Sequence, residues 1–192
     1  ILGSALSGQA PPATVFPGTS LGEQLAMVAR LIQVRQTLGM RRQVYFCAVG
    51  NYDTHSFQVD QQAYNLSEVS DAIVAFHAAT VELGIADKVT TFTASDFGRT
   101  LGINGDGTDH GWGGHHFVVG NAVRGQRFYG KMPSLRADDN PDETGYGQII
   151  PTTSVDQYAA TLARWLGVGQ GDIADIFPSL SRFDTPDLGF LA

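Results

Sequence analysis

Cysteine is nearly absent from this 192-residue chain, where Cys47 stands alone. A single cysteine excludes an intrachain disulfide and any zinc site built on paired thiolates. Charge is scarce as well, at 16% of residues, and basic charge is the scarcer kind, with 12 Lys and Arg against 19 Asp and Glu. The resulting net charge of −7 argues against nucleic-acid binding, which leaves a basic footprint. No apolar run approaches the length of a membrane span. Internal repeats and low-complexity tracts are also lacking. The opening stretch ILGSALSGQAPPATVFPGTS has no initiator Met and the character of a loop, so the chain is expected to be the C-terminal part of a longer protein. Arg41-Arg42 lies mid-chain and is not a targeting signal.

What is present suits a globular domain, or a large piece of one, with 43% apolar residues to build a core. After a lead-in loop over 1–19, Ser20-Leu21-Gly22-Glu23 has the pattern of a capping box. It opens a helix with Leu21, Leu25, Val28, Leu31, Ile32 and, near its end, Leu38 on its apolar positions, closed by Gly39. QVYFCAV, residues 43–49, is a continuous apolar run expected to form a strand buried on both faces, with Cys47 as an inert core thiol. A second helix is expected from about Ser67 to Gly84, carrying Val69, Ile73, Phe76 and Leu83 on one face, and then a strand over 88–93. A Gly-rich loop over 101–115, a strand over 116–120, a hairpin over 122–130 turning at Gly125-Gln126 and a long loop over 133–147 follow. The last helix starts at Ser154, with Gln157 completing a second capping box. The alternation of helices with buried strands predicts an α/β fold, a mostly parallel sheet flanked by helices.

In open α/β sheets ligands bind at the carboxyl ends of the strands, and three polar clusters fall there. Asp53-Thr54-His55 follows strand 43–49. Ser95-Asp96, with Arg99 close by, follows strand 88–93. Asp109-His110 lies in the next loop within TDHGWGGHH, residues 108–116, which holds three of the five histidines. Each cluster alone suits a turn or a solvated imidazole. Together, carboxylates and imidazoles are the usual ligands of zinc and other divalent metals. The candidate metal ligands are Asp53, His55, Asp96, His110, His115 and His116. Zinc is the first expectation, with calcium, magnesium or manganese as alternatives. Arg99 is the candidate catalytic residue, since a guanidinium binds an anionic oxygen bidentately. The glycines let backbone fold closely around the Asp109-His110 element. Successive strand residues face opposite ways, so only one of His115 and His116 is expected to point into a site.

The stretches GNYDTHSFQ, TASDFGRT, NGDGTDHGWGGHHFVVGNAVRG and IIPTTSVDQYAATLARWLG strongly resemble the DUF1501 family, over nearly the whole chain. That family in turn resembles the alkaline phosphatase and sulfatase superfamily. The resemblance implies an alkaline-phosphatase-like fold, with this chain as its C-terminal half. It implies the N-terminal half of the same protein as partner and source of the nucleophile, and a periplasmic or extracytoplasmic setting reached by twin-arginine export. Laid on this chain, the superfamily pattern implies one metal position held by Asp53, His55 and His110. A second keeps only Asp96, because Phe97 stands where the pattern has a histidine. No C-x-P-x-R sulfatase signature surrounds Cys47. The implied function is metal-dependent hydrolysis of phosphate or sulfate esters, with a small anionic ester as substrate. The alternative is a non-catalytic binding or assembly module of the cell envelope on a degenerate scaffold.

Overall fold

The computed structural model describes residues 1–136 and 138–192; residue 137, inside the expected loop 133–147, lies outside the described residues. The chain divides into two compact units, residues 1–91 with 119–121, and residues 92–118 with 122–192.

In the first unit, α1 (Leu2–Ser7) is a short helix within the expected lead-in loop. The helix α2 (Ser20–Gln33) begins one residue before the expected start: Thr19 is the N-cap, its hydroxyl accepting from Gly22 N–H at 3.2 Å. Gly22 is required there, because a Cβ would lie 2.1 Å from the Pro17 carbonyl oxygen. The helix α3 (Gln58–Glu82) starts nine residues earlier than expected. Its first turns present Val59 and Tyr64 to solvent, so no apolar periodicity marks them. Tyr64 donates to Glu68 one turn on, an i,i+4 pair that supports helix without a core. Leu21, Leu25, Val28, Ala29 and Ile32 of α2 pack on Ala72, Phe76 and Ala79 of α3.

The expected mostly parallel sheet is overturned. Residues 43–49 run extended but belong to no strand ladder among the described residues. Tyr45 and Cys47 pack on the α2–α3 core, while Val44 and Phe46 face outward, Phe46 at 92% exposed. The run is thus apolar on two faces, with one face covered. In place of a neighbouring strand, the Gln24 carboxamide donates to the Ala48 carbonyl and accepts the Ala48 N–H, both at 3.0 Å. Strand 88–93 shrinks to β1 (Thr91–Phe92).

The second unit holds β2 (Gly98–Asn104) and β3 (Gly107–Gly111), where a structureless Gly-rich loop is expected. They form an antiparallel hairpin, with Arg99 opposite His110 and Ile103 opposite Thr108. The short β4 (Val118–Val119) pairs with β1. Strand residues amount to about 10% of the chain, which rules out the parallel-sheet, alkaline-phosphatase-like α/β class. The expected hairpin over 122–130 is also absent. Val123 pairs instead with Leu191, and Arg124 N–H donates to the Phe190 carbonyl. Loop 133–147 is folded back on itself by Asp142, which accepts the Ser134 N–H at 2.7 Å. The helix α4 (Val155–Leu166) carries the expected capping box, with Ser154 and Gln157 both engaged. After it come α5 (Gln170–Ile176) and a 3-10 turn over Pro178–Arg182, around Ala160, Ile173 and Leu180.

Residues 1–192 expressed alone should bind apolar dyes strongly through Val44 and Phe46. Phe46→Ser should lower dye binding while changing stability by no more than about 0.5 kcal/mol. Phe76→Ala, at a side chain 4% exposed, should cost about 3–5 kcal/mol in denaturant unfolding. Equal losses for the two variants would contradict the one-sided burial of 43–49.

Candidate functional site

In the first unit, the loop between segment 43–49 and α3 carries Asp53 and His55. Two residues give it its shape, Asn51 at φ 71° and Phe57 at φ 53°. Asn65 of α3, 4% exposed, holds the loop from below. Its side-chain N–H donates to the Asn51 carbonyl at 2.6 Å, its own carbonyl accepts the Tyr52 hydroxyl at 3.2 Å, and its side-chain oxygen accepts from Gln61 at 2.9 Å. On this mount, His55 Nδ1 lies 2.9 Å from Asp53 Oδ1. Both side chains are exposed, so the contact contributes little to stability. What it does is orient the imidazole. With Nδ1–H given to the carboxylate, the neutral ring carries its lone pair on Nε2, the tautomer common among metal-binding histidines.

In the second unit, the hairpin positions Arg99 and His110 as cross-strand neighbours. The Phe97 ring stacks on the His110 imidazole at 4.1 Å between centroids, 1° from parallel, and the Arg99 guanidinium sits 5.8 Å from the Phe97 ring centre. Arg99 also donates from Nε to the Thr108 hydroxyl at 2.9 Å and from Nη2 to the Thr108 carbonyl. The residue expected to meet an anion therefore braces its own hairpin. Asp109 Oδ1 accepts from Asn104 at 2.9 Å. The glycines act as expected: at Gly111, next to His110, a Cβ would lie 2.7 Å from the Arg99 carbonyl oxygen. Asp96 is exposed, in a turn closed by Ser95, whose hydroxyl donates to the Phe97 carbonyl at 2.8 Å.

His115 and His116 precede β4 and lie in no strand, so the alternation expected of them does not apply. His115 faces solvent. His116 stacks on Tyr158 at 5.8 Å, with Nδ1 3.5 Å from the Thr93 hydroxyl. Partial burial, and then the charge of His115, hold the His116 imidazole below its usual value. Burial likewise pushes the Cys47 thiol up, which suits the inert thiol expected there. A cleft of about 380 Å³ near Arg164, Ile173, Phe177 and Leu180 includes none of the expected site residues. Sequence reasoning missed Asn65, Thr108 and Tyr158, whose contacts set the positions of Asn51, Arg99 and His116. No helix among the described residues is long and apolar enough to cross a membrane.

The family model described as a protein of unknown function, DUF1501, matches residues 6–172. The chain belongs to that family. No curated protein matches it, and no solved structure does.

Asn65→Ala leaves the Asn51 carbonyl without its buried donor, and about 1–3 kcal/mol of stability should be lost. Amide exchange should speed up across 50–57; unchanged exchange there would show that the loop holds itself. A second prediction concerns acid. The neutral form of His116 is the one favoured in the folded chain, so its contribution is complete above the ordinary imidazole value of about 6.5 and declines as pH falls through that value. The thermal midpoint should drop between about pH 7.5 and pH 5, and His116→Asn should flatten the drop. The same slope in both proteins would assign the acid sensitivity to other groups.

Proposed function

We propose that this chain is the metal-binding part of a hydrolase of phosphate or sulfate esters. It acts with the N-terminal half of the same protein in an extracytoplasmic compartment. The observation that carries the reading is the Asp53–His55 pair, a carboxylate oxygen 2.9 Å from an imidazole nitrogen on a loop held by Asn65. The donor set suits a divalent cation, zinc first: carboxylate and imidazole, with no thiolate demanded. In the superfamily pattern His110 is the third ligand, and Asp96 the remnant of a second position. When bound, the cation polarises the ester and offsets charge on the attacking or leaving oxygen. Asp53 holds the His55 ring in the tautomer that binds. The role proposed for Arg99, binding an anionic ester oxygen, competes with its bonds to Thr108.

A second reading is favoured by Phe97. It stands where the superfamily pattern has a metal-binding histidine, and its ring covers the face of His110. With Arg99 turned to Thr108, these residues also suit a non-catalytic binding or assembly module of the cell envelope.

The two readings separate on metal content. In the full-length protein, Asp53→Asn and His110→Ala should each lower metal affinity by about 10–100-fold, read as metal retained after dialysis. His116→Ala should retain metal like the parent and lose only packing. Retention by the His110 variant with loss in the His115 or His116 variant would move the third ligand down the chain. Equal retention by all variants would favour the module.

A further inference from the structure

We propose that Tyr146 is a ligand-binding platform, an exposed phenol ring that stacks on the ring-bearing alcohol of the ester. The ligand's identity rests on the hydrolase reading above, while the observations behind the platform are separate. Tyr146 is 96% exposed and sits at φ 59°, a region that costs a residue with a Cβ free energy. So exposed a side chain makes little contact that could offset this cost. The loop nevertheless holds the conformation firmly. Glu143 Oε1 accepts the N–H groups of Gly145 and Gly147, at 2.9 and 2.7 Å, on either side of the tyrosine. The Gly147 carbonyl accepts the Leu101 N–H of β2 at 2.8 Å. A Cβ on Gly147 would lie 2.5 Å from the Gly102 nitrogen, so no other residue fits this approach. One residue further on, Gln148 donates to the His110 carbonyl at 3.2 Å. The tyrosine is therefore mounted on the hairpin that carries Arg99 and His110.

A strained backbone under a fully presented aromatic ring, on a mount fastened to the candidate site, is the arrangement of a binding residue. A tyrosine ring offers a large contact face at low cost in side-chain freedom. Its partner is a flat apolar face, as an aryl or sugar ring provides, and a small alkyl group is too narrow to cover it. The substrate class is therefore an ester whose anionic group meets the hairpin and whose alcohol carries a ring.

The test uses the full-length protein with phenyl phosphate, a hexose phosphate and methyl phosphate, together with the matching sulfates. Tyr146→Ala should raise KM about fivefold for whichever ring ester is turned over, with kcat within about twofold and the methyl ester unaffected. Tyr146→Phe should restore the parent KM. Binding of phenylphosphonate, followed by calorimetry, should weaken by the same factor in the alanine variant and not in the phenylalanine variant. Turnover of ring esters with an unchanged KM and unchanged phosphonate affinity in Tyr146→Ala would overturn the platform. No turnover, with phosphonate affinity lost in Tyr146→Ala, would remove the hydrolase reading and leave the platform standing. Neither turnover nor phosphonate binding would overturn both.

Discussion

Backbone N–H and C=O groups held near a core must find partners, and in this chain few find them in a sheet. Side-chain amides take the place of strands. Gln24 bonds both polar groups of Ala48, which keeps segment 43–49 extended against α2 and α3 without a ladder. Asn65 performs the same service for the loop after it, bonding the Asn51 carbonyl and accepting from Tyr52 through its own. The Asp53–His55 pair is presented on that loop, so its geometry is set by amide hydrogen bonds from a helix and not by the end of a sheet.

The second unit solves the same problem with a hairpin. Its strands approach so closely that glycine is required at Gly98 and Gly111. Arg99 spans the ladder to Thr108, and Phe97 covers the face of His110. The ring contact sets the orientation of the His110 imidazole. The same hairpin fastens the loop of Tyr146. Arg99, His110 and Tyr146 are thus carried by one hairpin and the loop bonded to it.

Some of this was legible in the residues. The capping box at Ser154 and Gln157, the apolar stripe of α2 and Phe76 on the buried face of α3 follow from local rules. The sheet did not follow, because an apolar run reports that both faces avoid water and says nothing about which neighbours cover them. Residues 43–49 have the composition of an internal strand and the surroundings of an edge with one side open. The start of α3 was missed because Gln58 to Leu66 is helix without an apolar stripe. The hairpin was missed although its signal was present: Asn104-Gly105 followed by Asp106-Gly107 is strong turn chemistry, and Gly105 takes φ 67°. The richness in glycine concealed the flanking strands. At the site, the spacing of Asp53 and His55 was informative, since residues two apart on an irregular loop can meet. The roles of Thr108 and Asn65 depend on contacts that no spacing reveals.

Membership in the DUF1501 family leaves the chemistry to the residues, and the proposal of metal-dependent ester hydrolysis rests on the Asp53–His55 pair. The most direct measurement is chelation and reconstitution of the full-length protein, with turnover of phosphate and sulfate esters followed throughout. The account predicts turnover that disappears with removal of the metal and returns with added zinc in proportion to the metal bound. Turnover that persists in metal-free protein, or stoichiometric metal binding with no turnover of any ester, would contradict it.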